Sequence, residues 1–315
     1  MTHHFPSTIL EENLPRVLEQ LGELDASSEP LEIDLSRAKF WIPSAIVAIC
    51  SMVRKWCENG RKVSFPNCEQ CAVTGYLQRI DFFEQIGLKL PEAFQRHDSG
   101  TSFVVIERID PGQARLNEPL ARKLASCLAG TADAIADAFR FSEFAMGELM
   151  ANCQQHAMTP GYVSAQYIGQ RDWARIGIAD SGVGIRESFR LSESPFFREG
   201  MRDAEALEMA MQPWCSSKKH QKGPYGAPAN RGIGLKMVWN MLHQAGGELF
   251  IASGNAWRHY KGEKVNHGVM RARFQGTVVS VRFERGQIDD YVEIWKGANR
   301  AVNLTPEEDS TILFS

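Results

Sequence analysis

The stretch IADSGVGI, residues 178–185, decides how the chain is read. It completes the run WARIGIAD (173–180), which has the content of a β-strand, and Gly182 and Gly184 then punctuate a turn. A strand that ends in an aspartate and opens into a glycine turn puts a carboxylate at the end of a sheet. Such a turn is ordinary when it stands alone. Three other segments, in order along the chain, give it meaning.

Upstream lies GELMANCQQHA (147–157), where Glu148, Asn152 and His156 recur at intervals of four among small or apolar residues. A four-residue step advances a helix by roughly 400°, so these side chains drift about 80° in total and share one face. That face either meets solvent or lines a polar site. Downstream, NRGIGLKMV (230–238) is a glycine turn opening a helix, and Gly276-Thr277 precedes the last strand.

The surrounding pattern predicts helices over roughly 114–129 and 131–157, then strands at 162–168 and 173–180. The segment 186–231, rich in Ser, Lys, Gly and Pro, exceeds an ordinary connection and is expected to be a lid. A helix from Gly232 to before Gly246-Gly247 and four antiparallel strands (248–253, 257–262, 269–274, 277–284) follow, then a less regular tail. In the first hundred residues, LEIDL (31–35), a helix over 43–60 and KVSF (62–65) form a βαβ unit. A helix over 75–87 and a strand over 102–109 complete that part. Pro111-Gly112 marks the boundary, dividing the chain into 1–111, 112–286 and a tail, 287–315.

Composition narrows the function classes. A chain of 315 residues with 43% hydrophobic content suits about two domains with packed cores. The net charge of -3 argues against nucleic acid or acidic membranes as partners. MTHHFPSTIL lacks a secretory pattern, and no apolar run approaches the roughly 18 residues of a membrane helix. Seven cysteines fit a reducing compartment, so a soluble cytoplasmic protein is expected. Cys68 and Cys71 lack a second pair at zinc-ligand spacing and read as ordinary thiols.

With its four ordered motifs, the region of about 115–285 resembles the GHKL ATPase superfamily, which includes gyrase-type ATPases, mismatch-repair ATPases, histidine kinases and anti-sigma-factor serine kinases. The resemblance implies an α/β (Bergerat) sandwich with ATP held between a helical layer and a flexible lid. It implies that Asp180 accepts a hydrogen bond from the adenine amino group, with Thr277 supporting the base. Gly182 and Gly184 would let backbone approach the nucleotide, and Gly232, Gly234 and Leu235 would form the phosphate turn at a helix N-terminus. Asn152 would hold Mg²⁺, and Glu148 would orient or deprotonate the attacking water or hydroxyl. Lys218 or Lys219, in CSSKKHQKG (215–223), would reach the terminal phosphate from the lid; His156 is read as structural.

Residues of about 30–110 resemble a STAS-type domain through LEIDLSRAKFWIPSAIVAI and GYLQRIDFFEQIG. Phosphorylatable members carry an aspartate and then a serine before this helix. Ile42 and Pro43 stand there instead, with Ser44 one place later, which argues against self-phosphorylation. The expected function is Mg²⁺-dependent ATP hydrolysis, or γ-phosphate transfer to a serine of a protein partner, with the STAS-like part making the contact. The alternatives are a nucleotide-gated interaction module and an ATP clamp that forms a homodimer.

Overall fold

The structure, a computed structural model, describes residues 2–96, 102–112, 117–216 and 232–302. The first half of the chain forms β1 (Thr2–His3), β2 (Thr8–Ile9), α1 (Leu14–Asp25), β3 (Leu31–Ile33), β4 (Phe40–Trp41) and α2 (Pro43–Glu58). β5 (Val63–Ser64), α3 (Thr74–Arg79), α4 (Phe82–Gln85) and β6 (Phe103–Ile109) follow. Proline at the first turn of α2 suits a position whose N–H has no helical partner. Every residue of α2 from Pro43 to Val53 is buried, so this helix is core on all sides rather than amphipathic. The parallel pairing of β3 with β5 across α2 is the βαβ unit expected from sequence.

The second half comprises α5 (Asn117–Ala129), α6 (Asp137–His156), β7 (Gly161–Ile168), β8 (Trp173–Asp180), α7 (Gly184–Leu191) and α8 (Asp203–Ala210). It ends with α9 (Gly234–Gln244), β9 (Glu248–Lys261), β10 (Lys264–Glu284) and α10 (Tyr291–Val302). The chain is thus mixed α/β. Its main sheet is five-stranded in the order β6-β7-β8-β10-β9, with antiparallel neighbours throughout.

Alternation along each strand sorts the side chains between two faces. Val163, Ile176, Ile178, Leu249, Ile251 and Val281 pack with residues of α5, α6, α9 and α10. Tyr162, Ala179, Phe250, Ala252 and Val278 pack on the opposite face with residues of α1 and α2. The sheet is therefore buried on both sides. Strands of only two or three residues cannot cover enough apolar surface to stand alone, so the N-terminal half completes its core on the larger sheet.

Several expectations change. The strand expected at 102–109 as part of the first unit is β6, an edge strand of the main sheet paired with β7, so the Pro111-Gly112 boundary does not coincide with a sheet boundary. The helix expected over 75–87 is two short helices, because Asp81 adopts a left-handed conformation (φ 61°) between them. The expected lid, 186–231, carries α7 and α8; Phe189 of α7, Met201 of the segment between the two helices and Ala206 of α8 form their own apolar cluster. The four strands expected after residue 247 are two long ones; register shifts between Val269 and Phe274 and between Phe274 and Thr277 bend β10 without ending it. The tail contains α10, whose Trp295 and Ala298 are buried in the main core.

No helix among the described residues is long and apolar enough to cross a membrane. Cys68 and Cys71 are buried free thiols, and the described residues contain no group of three or more His, Cys, Asp or Glu able to hold a metal. Ser44 is fully buried where the start of α2 meets β8, and a Cβ at Gly177 would collide with the Ser44 amide there.

Candidate functional site

A cleft opens where α6, the end of β8, the start of α7 and the start of α9 meet. Its empty space is about 910 Å³, part of it open to solvent.

The inner end is built on Asp180, the last residue of β8, which pairs in register with Thr277 of β10. Both residues line the cleft. Burial raises the Asp180 carboxyl to about 7, against the opposing pull of the Gly182 and Thr277 amides. The Gly182 N–H donates to Asp180 Oδ1 at 2.9 Å, leaving a buried carboxylate with accepting capacity toward the cleft. Ile178, Ile251 and Val279 supply apolar surface beside it.

Glu148, Asn152 and His156 of α6 line one wall, so the four-residue spacing does put all three on the cleft side. Burial also raises the Glu148 carboxyl. Asn152 offers an amide oxygen, a hard donor of the kind Mg²⁺ takes in small number alongside water and phosphate. His156 Nδ1 lies 3.4 Å from Ser188 Oγ, linking α6 to α7 across the cleft.

Gly232, Gly234 and Leu235 line the cleft at the start of α9. A Cβ at Gly234 would collide with the Glu148 carboxylate, so the absence of a side chain there lets the helix start abut the acid. Gly184, with φ 76°, begins α7 against Ser253. Gly182 behaves differently from the expectation and does not line the cleft. A Cβ there would strike the Ala157 carbonyl, which accepts the Val183 N–H at 3.1 Å, so Gly182 seats the turn on the end of α6. Lys218 and Lys219 lie outside the described residues.

Ser253 is an organising residue that the sequence reading missed. Its hydroxyl accepts the Ile185 N–H at 2.9 Å, donates to the Gly276 carbonyl at 3.0 Å and lies 3.3 Å from Thr277 Oγ1. It thereby ties the turn after Asp180 to the turn before Thr277. No local signal marks it, since the role depends on its pairing with Thr277 across the β9–β10 ladder. Ser188 was missed for a like reason, meeting His156 only through tertiary packing.

The site thus joins a buried hydrogen-bond acceptor and apolar surface at one end to a helix N-terminus, an amide oxygen and a poised carboxylate at the other. Such a site can hold a flat polar heterocycle at the first end and an anionic group at the second. Compared with known proteins, the chain matches no family model and no curated sequence.

Proposed function

We propose that the cleft binds ATP with Mg²⁺, and that the protein hydrolyses the nucleotide or transfers its γ-phosphate to a serine of a partner protein. The reading rests on one observation: Glu148, Asn152, Asp180, Gly234 and Thr277, drawn from four separate segments, line a single cleft. On this reading the region around it is a GHKL-type domain, and the N-terminal half is a STAS-like unit packed on the far face of its sheet.

Asp180 accepts the exocyclic amine of adenine, which discriminates against a base presenting a carbonyl at that position. The start of α9 faces the phosphates with its amides and its positive dipole end. Mg²⁺, when bound through Asn152, supplies neutralisation of phosphate charge. Glu148 takes the proton of the attacking water or hydroxyl, and the burial that raises its pKa makes it a stronger base.

Calorimetry with ATP and Mg²⁺, and phosphate release by wild type and Glu148→Ala, test the proposal. Binding is expected in both, with turnover falling on the order of 100-fold in the variant. Equal turnover in both would refute the catalytic role, and no binding by either would refute the site itself. Labelled ATP added with host lysate separates hydrolysis, which frees the label, from transfer, which places it on protein.

A further inference from the structure

A second cavity, sharing no lining residue with the cleft, lies between the segment His4–Ser7, α1 and the turn that joins β3 to β4. Arg16, Gln20, Arg37 and His4 line it. Arg16 and Gln20 stand four residues apart on α1 and share a face; Arg37 reaches the cavity from the β3–β4 turn.

Three observations mark this cavity as a ligand site. First, among the described residues neither Arg16 nor Arg37 has an ion pair or a side-chain hydrogen bond, although most other described arginines are paired. Second, Gln20 Oε1 and His4 Nδ1 are buried without a hydrogen-bond partner, and polar atoms in that condition ordinarily have one. Third, Asp34, on the same β3–β4 connection as Arg37, accepts hydrogen bonds from elsewhere. Its Oδ1 accepts the Ser36 N–H at 2.8 Å, and its Oδ2 accepts the Asn67 amide at 3.2 Å. Lys39, whose N–H donates to the Ser7 carbonyl at 2.7 Å, adds another positive residue next to the cavity.

We propose that this cavity binds a phosphate monoester. One guanidinium fork satisfies a carboxylate, whereas two forks arriving from different elements suit a tetrahedral dianion with three terminal oxygens. The Gln20 amide and the His4 ring add donors or acceptors as the ligand requires, since either can present a nitrogen or an oxygen or lone pair by flip or tautomer. The monoester is carried either by a small molecule or by a phosphorylated side chain of a protein. The site stands whether or not the cleft binds ATP.

The test is calorimetric titration of the full chain with inorganic phosphate, with a phosphoserine peptide and with the same peptide unphosphorylated. Saturable binding of at least one phosphorylated probe in the millimolar range or tighter is expected, falling roughly tenfold or more in Arg16→Gln/Arg37→Gln. Tighter binding of the phosphopeptide than of inorganic phosphate identifies a protein side chain as the source; the reverse identifies a small molecule. Both arginines are exposed, so the double variant is expected to keep its fold; if its melting is altered, Arg37→Lys, which retains charge but loses the fork, replaces it and is expected to weaken binding. Absence of saturable binding by both phosphorylated probes, binding undiminished in the variants, or equal binding of the unphosphorylated peptide would overturn the proposal.

Discussion

The carboxylate of Glu148 occupies the space that a side chain on Gly234 would need. The contact links the fourth turn of α6 to the start of α9, two elements separated by more than 75 residues of chain. It also puts an acid at the positive end of a helix dipole, which favours ionisation while burial opposes it.

The two positions are therefore expected to be energetically coupled. Gly234→Ala alone forces either Glu148 or the α9 start to move, at a cost of about 1–3 kcal/mol. In a Glu148→Ala background the same substitution has room and costs far less. A double-mutant cycle by urea denaturation should give a coupling of about 1 kcal/mol or more. Strict additivity would show that the contact carries no energy.

Asp180 makes a prediction about pH. Its folded pKa, about 7, lies above the ordinary value of 3.8, so between those values the folded chain holds a proton that the unfolded chain has lost. The stability it contributes is present below about 4 and is lost as pH rises through 7, a change on the order of a few kcal/mol. A ligand amine that donates to the carboxylate needs the ionised form, so affinity for an ATP analogue should rise with pH through 7. Asp180→Asn should bind more weakly and flatten that profile. A wild-type affinity that falls across this range would contradict the assigned role.

The cleft was more legible than the fold around it. Glu148 and Asn152 announce themselves by helical spacing, and Asp180 by its place between a strand and a glycine turn, because each signal is local. Ser253 and Ser188 carry no such mark, since their contacts depend on ladder register and on helix packing. The placement of β6 was illegible for the same reason: an edge strand reads alike whichever sheet it joins. Gly182 shows the converse, a position singled out for a ligand whose requirement is contact with the Ala157 carbonyl.

Gly177 tests how the two halves hold together. The backbone of Pro43 and Ser44 sits directly against it, in the gap where a Cβ would be. Gly177→Val should displace the start of α2, cost about 1–3 kcal/mol and loosen the burial of Cys50 on that helix. Thiol labelling of the native protein reads this directly. Cys57 is exposed and should react in both proteins, while Cys50 should react markedly faster in the variant. Unchanged labelling and stability would mean that α2 does not dock tightly on β8.

A second tie between the halves is ionic. Glu11, just after β2, lies 3.6 Å from Arg175 of β8, and both are buried. Arg175 Nε and Nη1 have no hydrogen-bond partner, and burial lowers the pKa of its guanidinium against the attraction of Glu11. Glu11→Gln removes the only partner that Arg175 has in an ion pair among the described residues and leaves its buried charge with only the attraction of Glu248 and Glu12 and the Trp173 ring. The expected loss is about 3–5 kcal/mol, whereas Glu11→Gln/Arg175→Met should recover most of it, because no charge is then stranded. Denaturation midpoints with unchanged slopes would read the difference. If the double variant were as unstable as the single, the penalty would lie in lost packing around Glu11 rather than in the stranded guanidinium.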